Sequence, residues 1–320
     1  MVSLPLFHIA WALGTNDERH ACDKFFLDVF GAQTGYEVSI SPDTTASGTD
    51  REESLMVVGN TMLIPIAPLG DGEKIGSNIG DMLRDHAIPG KWIGIALKVD
   101  DVQAADKWLS SLGFHPWYRP GFESIYFVLP RDETLGMRIE ILKVSLPNDP
   151  RPKPGWNADW WRDHHPLGIE GLQSIGVSCD NLQQARDFFE GKLGWGEIAQ
   201  RSLPAEGANC ASFLGGDFVI EAMEPTSKDS PVAAHRRDCQ GMYCLTFKVR
   251  SAKAAADYLR QKGLSLVGDT ATRFAIDPDQ AFSRLLYFTE HEVPGYPPVG
   301  SMIPGWEPSR SFIPDVEASS

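Results

Sequence analysis

At 320 residues the chain suits two domains of ordinary size, each large enough to bury a core. Forty-three acidic residues against 29 basic ones leave a net charge of −14, and no basic stripe is present, so nucleic acid is excluded as the expected partner. No segment approaches the ~20 apolar residues that span a bilayer, and Met1-Val-Ser-Leu-Pro-Leu-Phe7 lacks the charged start of a leader, so no membrane partner and a cytoplasmic address are expected.

The first strand reads His8-Ile-Ala-Trp-Ala-Leu13, and an amphipathic helix through Lys24-Phe25-Phe26 stops at Gly31, where a residue without Cβ takes the left-handed conformation that ends a helix. Strands follow at Ser54–Val58 and Met62–Ile66. The pattern restarts at Gly94-Ile-Ala-Leu-Lys98-Val99, with a helix from Asp101 to Leu109 stopped at Gly113, then strands at Ile125–Val128 and Arg138–Leu142. Pro147-Asn-Asp-Pro-Arg-Pro-Lys-Pro-Gly155 is stiff and extended, as a domain linker would be. It leads into Trp156, Trp160 and Trp161, which either pack on a domain face or a subunit partner or line a pocket mouth.

The second half repeats the first. Ser174-Ile-Gly-Val-Ser-Cys179 and the helix through Asp187-Phe188-Phe189 to Gly194 match the opening pair, at an offset that slips from 166 to 163 through three extra residues in the Gly14–His20 loop. Strands at Ala211–Leu214 and Phe218–Met223 follow. Cys244-Leu-Thr-Phe-Lys248-Val249, a helix through Tyr258-Leu259 and Gly263 then repeat residues 94–113 at an offset of 150. A strand at Leu285–Phe288 follows, and Thr289-Glu290-His291-Glu292 stands where a closing strand is expected. The tail beyond carries Pro294, Pro297, Pro298, Pro304 and Trp306 and is expected to wrap the surface.

One strand–helix–strand unit cannot cover both faces of its sheet, so the units are expected to pair, with helices outside and a cupped sheet inside. The expected fold is α+β: four βαβββ-type modules forming two domains, each a cupped mixed sheet. The boundaries expected are 1–146 (modules 4–68 and 91–145), a Pro/Trp-rich linker 147–169, 170–292 (modules 170–225 and 241–292) and a tail 293–320.

This arrangement, with the closing strand Gly136-Met-Arg-Ile-Glu140-Ile-Leu142, resembles the vicinal oxygen chelate superfamily, which includes glyoxalase I, methylmalonyl-CoA epimerase, bleomycin resistance proteins and the extradiol dioxygenases. The resemblance covers most of residues 4–145 and 170–290. It implies a divalent metal (Fe, Mn, Zn, Ni or Mg) in the cup, polarising substrate oxygens and held from first and last strands. The matching positions are His8, Pro65, Gly94 and Glu140 in the N-terminal half, of which only His8 and Glu140 can bind a metal. In the C-terminal half, Ser174 and Cys244 stand where the dioxygenases carry histidines, Glu221 holds module three's last strand, and module four departs. Ring cleavage is therefore disfavoured, and a cup with no metal stands as the alternative.

His8 reads as a ligand or as a histidine facing a polar cavity. Glu140 reads as a ligand, a general base or the ion-pair partner of Arg138, two residues away on the same face. Arg138, Trp11, Tyr126 and Lys98 are the candidate substrate contacts; Lys98 also reads as a strand end reaching solvent. The five cysteines, with no Cys-x-x-Cys, form neither a disulfide frame nor a zinc knuckle, and Cys244 reads as a small core residue. The expected function is that of a glyoxalase-like lyase or isomerase, acting on a small oxygenated or aromatic molecule by metal-assisted enolate chemistry in the N-terminal cup. The rival is a metal-free protein that sequesters a small ligand. A homodimer is compatible with either reading.

Overall fold

The computed structural model describes residues 4–40, 51–68, 90–118, 121–143 and 149–296. The tail from 297 and linker positions 147 and 148 lie outside the described residues. Two mixed sheets carry the fold. The first contains β1 (Leu6–Ala12), β2 (Gln33–Ile40), β3 (Arg51–Val58), β4 (Thr61–Pro68), β5 (Trp92–Lys98), β6 (Tyr126–Leu129) and β7 (Arg138–Leu142), in the order β2-β3-β4-β1-β5-β7-β6. The second contains β8 (Ile169–Ser178), β9 (Glu197–Leu203), β10 (Ala208–Leu214), β11 (Val219–Pro225), β12 (Gly241–Val249), β13 (Leu266–Asp269), β14 (Arg273–Ile276) and β15 (Leu285–Thr289), in the order β13-β14-β15-β12-β8-β11-β10-β9.

In each sheet the first strands of two modules lie antiparallel at the centre, β1 on β5 and β8 on β12, and each is flanked by its own module's last strand running parallel. Modules therefore pair within their own half. Module two has the fewest strands among the described residues: between its helix and β6, an isolated Trp117–Val128 bridge stands where a further strand would lie. Module four does have a closing strand. It is β15 itself, parallel to β12, and the strands before it are β13 and β14. The expectation that this module departs from the pattern after Phe288 is corrected by that pairing.

Each sheet bears helices on one face. In the first half these are α1 (Asn16–Phe30) and α2 (Val102–Ser111). The Thr15 and Asp101 side chains cap them by accepting from backbone N–H groups of their first turns, and Gly31 ends α1 in the left-handed conformation. A short α3 (Asp159–Asp163) lies in the linker. The second half has α4 (Leu182–Arg186), continued as a π-turn over Asp187–Lys192, then α5 (Pro231–Asp238) and α6 (Ala252–Gln261). Period-two alternation sends Ile9, Ile95, Ile139 and Ile141 of one sheet, and Ile175, Ile220, Leu245 and Phe288 of the other, into a single apolar core shared by both halves. Phe30 joins them directly, with ring centroids 5.7 Å from Phe247 and 5.9 Å from Phe288. Trp161, fully buried, donates its indole N–H to the Phe30 carbonyl at 2.9 Å, so this part of the linker packs as core.

A second interdomain contact is reciprocal. The turn before β7 docks on the entry to β12, and the turn before β15 docks on the entry to β5. At the first, Gly136 and Gly241 press backbone on backbone: a Cβ on Gly241 would lie 2.5 Å from the Gly136 carbonyl oxygen, and Arg131 donates to the Gln240 carbonyl. At the second, buried Arg284 donates to the carbonyls of Ala12 (2.9 Å), Lys91 (2.8 Å) and Phe282 (2.5 Å). Arg284 makes no ion pair among the described residues, and burial pulls its pKa down to about 10. Arg284→Met should orphan three carbonyls, each costing about 1–3 kcal/mol when left dry. Relief of the buried charge offsets part of this, and urea denaturation should show a net loss of about 2–4 kcal/mol. An unchanged midpoint would show the latch to be idle.

Candidate functional site

The face of the N-terminal sheet away from the helices is concave, and its register decides what meets there. His8 pairs with Ala96, Ala96 with Glu140, and Glu140 with Val128, so these four side chains form one row on one face. His8 and Glu140 stand two strand spacings apart, roughly 10 Å along the sheet, with only a methyl group between them. The next row holds Ala10, Gly94 and Arg138. Gly94 is required there: a Cβ would lie 1.8 Å from the Arg138 carbonyl oxygen. Apolar walls rise on both sides, Leu55, Val57, Met62, Ile64 and Ile66 on one and Phe7, Leu142 and half-buried Tyr126 on the other. Small floor residues, apolar walls and a few converging polar groups are the features of a small-molecule site.

Two of the polar groups, His8 and Arg138, make no side-chain hydrogen bond among the described residues. His8 is half-buried, and its Nδ1 is buried with no hydrogen bond. Desolvation, helped by the Arg151 charge, drops its pKa to about 3, so the imidazole is neutral at physiological pH. Arg138 makes no hydrogen bond or ion pair among the described residues. Its guanidinium lies 5.9 Å from the Trp117 ring, and burial lowers its pKa against the opposing pull of Glu140 and Tyr126. The linker seals the rim: Arg151, held by Asp149, donates to the carbonyls of Phe7 and Asn60. Lys98 lies at the end of β5 with its ammonium 5.7 Å from the Phe7 ring.

Two expectations are overturned here. Trp11 does not line the cup. It sits on the helix side, 1% exposed, packed on Phe26 and Trp92, because the strand period that turns His8 and Ala10 inward turns Trp11 outward. Pro65 pairs with Trp11 and faces the helices too, so the cup position of module one's last strand belongs to Ile64, beside Ala10.

The C-terminal cup is filled by its own side chains. Fully buried Glu221 accepts from the Ser174 hydroxyl at 2.6 Å and from Arg201. Burial pushes the Glu221 carboxyl up, but Arg273, Arg201 and Ser174 outweigh it and leave it below the usual carboxylate range. Arg273 donates to Glu206 and to Thr246 Oγ1 at 3.1 Å, lies 3.7 Å from Cys244 Sγ and stacks on Tyr287 with its Cζ 3.9 Å from the ring centroid. Arg201, Glu206 and Arg273 were not candidates from sequence. Arg273 lies on β14, the strand hidden when β15 is taken for its predecessor; its alternation with Phe274 and Ala275 was the available signal.

Comparison with known proteins places this architecture. Residues 173–282 match the Glyoxalase/Bleomycin resistance protein/Dioxygenase superfamily. That match lies within the C-terminal half of the chain. The chain is 31% identical over 77 residues to the uncharacterized protein YqjC of Bacillus subtilis, a match covering 24% of this chain and 55% of that protein's length. It is 24% identical over 131 residues to the mitochondrial methylmalonyl-CoA epimerase of Bos taurus, covering 40% of this chain and 68% of the epimerase. Among solved structures, a triple mutant of 4-hydroxymandelate synthase from Streptomyces coelicolor superposes with a TM-score of 0.61 over 92% of this chain and 96% of its own, at 14% identity. That last likeness is one of fold.

The superfamily resemblance implies a divalent metal, and the residues present do not fit one. Among the described residues no three His, Cys, Asp or Glu side chains converge as a metal site. Among the described residues the N-terminal cup offers His8 and Glu140, with Ile64 and Gly94 at the other two positions and a guanidinium beside Glu140. No helix among the described residues is long and apolar enough to cross a membrane.

His8 makes stability depend on acid in a definite direction. Its folded pKa of about 3 lies below the ordinary value of 6.5, so as pH falls from about 6.5 towards 3 the unfolded chain takes up a proton that the folded chain refuses. Stability from this group is complete above 6.5 and declines through that window. In urea titrations between pH 6.5 and 4, His8→Gln should show a flatter decline than the parent, by up to about 1.4 kcal/mol per pH unit. Parallel curves would place His8 in water.

Proposed function

We propose that the protein is a glyoxalase-like enzyme whose N-terminal cup binds a small oxygenated organic molecule and moves a proton on it without a resident metal. The observation that carries this reading is the row His8–Ala96–Glu140, with Arg138 beside it: a neutral imidazole, a carboxylate and a guanidinium on one face over a floor of glycine and alanine. A substrate carboxylate or carbonyl oxygen engages Arg138, which has no other hydrogen-bonding partner among the described residues. Glu140 takes the proton from the carbon next to the carbonyl. His8, neutral across the physiological range, donates a hydrogen bond to the oxygen on which charge develops; a neutral imidazole does this without being drained by prior protonation. Tyr126 and Lys98 line the module-two side.

The second reading, a binding protein that sequesters its ligand, is favoured by the two-donor cup and by the self-filled C-terminal cup. One experiment separates them. Ligands found by thermal shift in a panel of 2-oxo acids and malonate are incubated in deuterated water and followed by NMR. Exchange at the carbon next to the carbonyl, lost about 100-fold or more in Glu140→Gln while binding persists, supports the enzyme. Arg138→Met should weaken binding at least about tenfold, the equivalent of ~1.4 kcal/mol. Binding without exchange in the parent protein would establish the sequestration reading, and binding indifferent to His8→Ala, Glu140→Gln and Arg138→Met would move the site elsewhere.

A further inference from the structure

We infer that Arg273 is the resident cation of the C-terminal cup, standing in the place where metal-dependent members of the superfamily hold a divalent ion. The cup positions in this half are Ser174 and Cys244 on the two first strands, Glu221 on β11 and, by the pairing of Thr246 with both Ser174 and Tyr287, Tyr287 on β15. The Arg273 guanidinium reaches all but one of these by contact or charge. It lies 3.7 Å from Cys244 Sγ, stacks 3.9 Å from the Tyr287 centroid and acts electrostatically on Glu221, while Thr246, between the strands, accepts from it at 3.1 Å. Ser174 is bonded instead to Glu221.

Register explains why only one cup is plugged. Arg273 pairs with Thr289 on β15, and Tyr126 pairs with Leu142 on β7, so Tyr126 is the N-terminal counterpart of Arg273. A phenol there puts no cation at the position Arg273 holds in the other cup. The C-terminal cluster closes electrically on itself: Arg201 and Arg273 balance Glu206 and Glu221, all four at most 28% exposed. A divalent ion added to this neutral, buried set would carry two uncompensated charges, which is prohibitive away from water.

Removing the guanidinium should uncover the site. With Arg273 gone, the groups it touched, the Glu206 carboxylate, the Cys244 thiol and the Thr246 hydroxyl, face a vacated volume beside the Glu221 carboxylate and offer a mixed oxygen and sulfur donor set. The probe is Co(II), whose thiolate-to-metal charge-transfer absorption reports sulfur ligation and ignores adventitious oxygen sites. The parent protein should show no such band at one or several equivalents. Arg273→Ala should bind one Co(II) per chain with the band present, and Arg273→Ala combined with Cys244→Ser should lose the band. If Arg273→Ala fails to fold alone, refolding with Co(II) or Zn(II) should rescue its circular dichroism spectrum, and Arg273→Lys, which keeps the cation, should fold and show no band. A charge-transfer band in the parent that disappears in Cys244→Ser would overturn the inference. So would an Arg273→Ala protein, folded or subjected to metal rescue, that takes up no ion.

Discussion

β1 and β5 run antiparallel at the centre of the N-terminal sheet, and β8 and β12 do the same in the C-terminal one. That pairing brings the last strand of each module in on the outer flank of its first strand, so residues distant in sequence, such as His8 and Glu140 or Ser174 and Tyr287, share rows. It requires small side chains where backbones crowd. Gly94 admits the Arg138 carbonyl, and Gly176 sits where a Cβ would come 2.5 Å from Cys244 Sγ. A larger residue at either would shift the register, and a shift by one residue would carry the polar row to the helix side.

The two cups are built on the same register and have diverged in what fills them. In the N-terminal cup the histidine and glutamate face each other across alanine, with an arginine that makes no hydrogen bond among the described residues. In the C-terminal cup the corresponding places hold serine, threonine and tyrosine, and arginine–glutamate pairs consume one another. Buried ion pairs of the second kind give little net stability over an apolar filling, but removing one partner is severe. Such a cluster resists drift one residue at a time.

Much of this was readable from the amino-acid order. The 150-residue offset between Gly94 and Cys244 reports a real structural repeat, and the face shared by His8, Arg138 and Glu140 follows from a period of two. The readings that failed depended on counting strands where the signal is weak. β14 is four residues long, so Leu285–Phe288 was placed one strand too early and Tyr287 was not seen to stand opposite Glu140 in the repeat. Trp11, named as a candidate substrate contact, shares the parity of Ile9 and Leu13, which puts it with the core. Arg273, Arg201 and Glu206 converge only after folding, and no spacing in the chain announces their meeting.

The reciprocal docking of the two halves bears on the ancestry of the repeat. A duplicated unit that once associated with its own copy would present two equivalent turns to two equivalent strand entries. Here the turn before β7 carries Gly136 and Met137, while the turn before β15 carries Ser283 and Arg284. Ser283 brought against Gly241 would press a side chain onto backbone that tolerates none, and Met137 brought against Ala12 and Lys91 would leave their carbonyls unanswered. Each half has thus become specific for the other and unfit for itself, so the fusion cannot be undone: the chain has exchanged the freedom of a symmetric dimer for a fixed order of unlike parts.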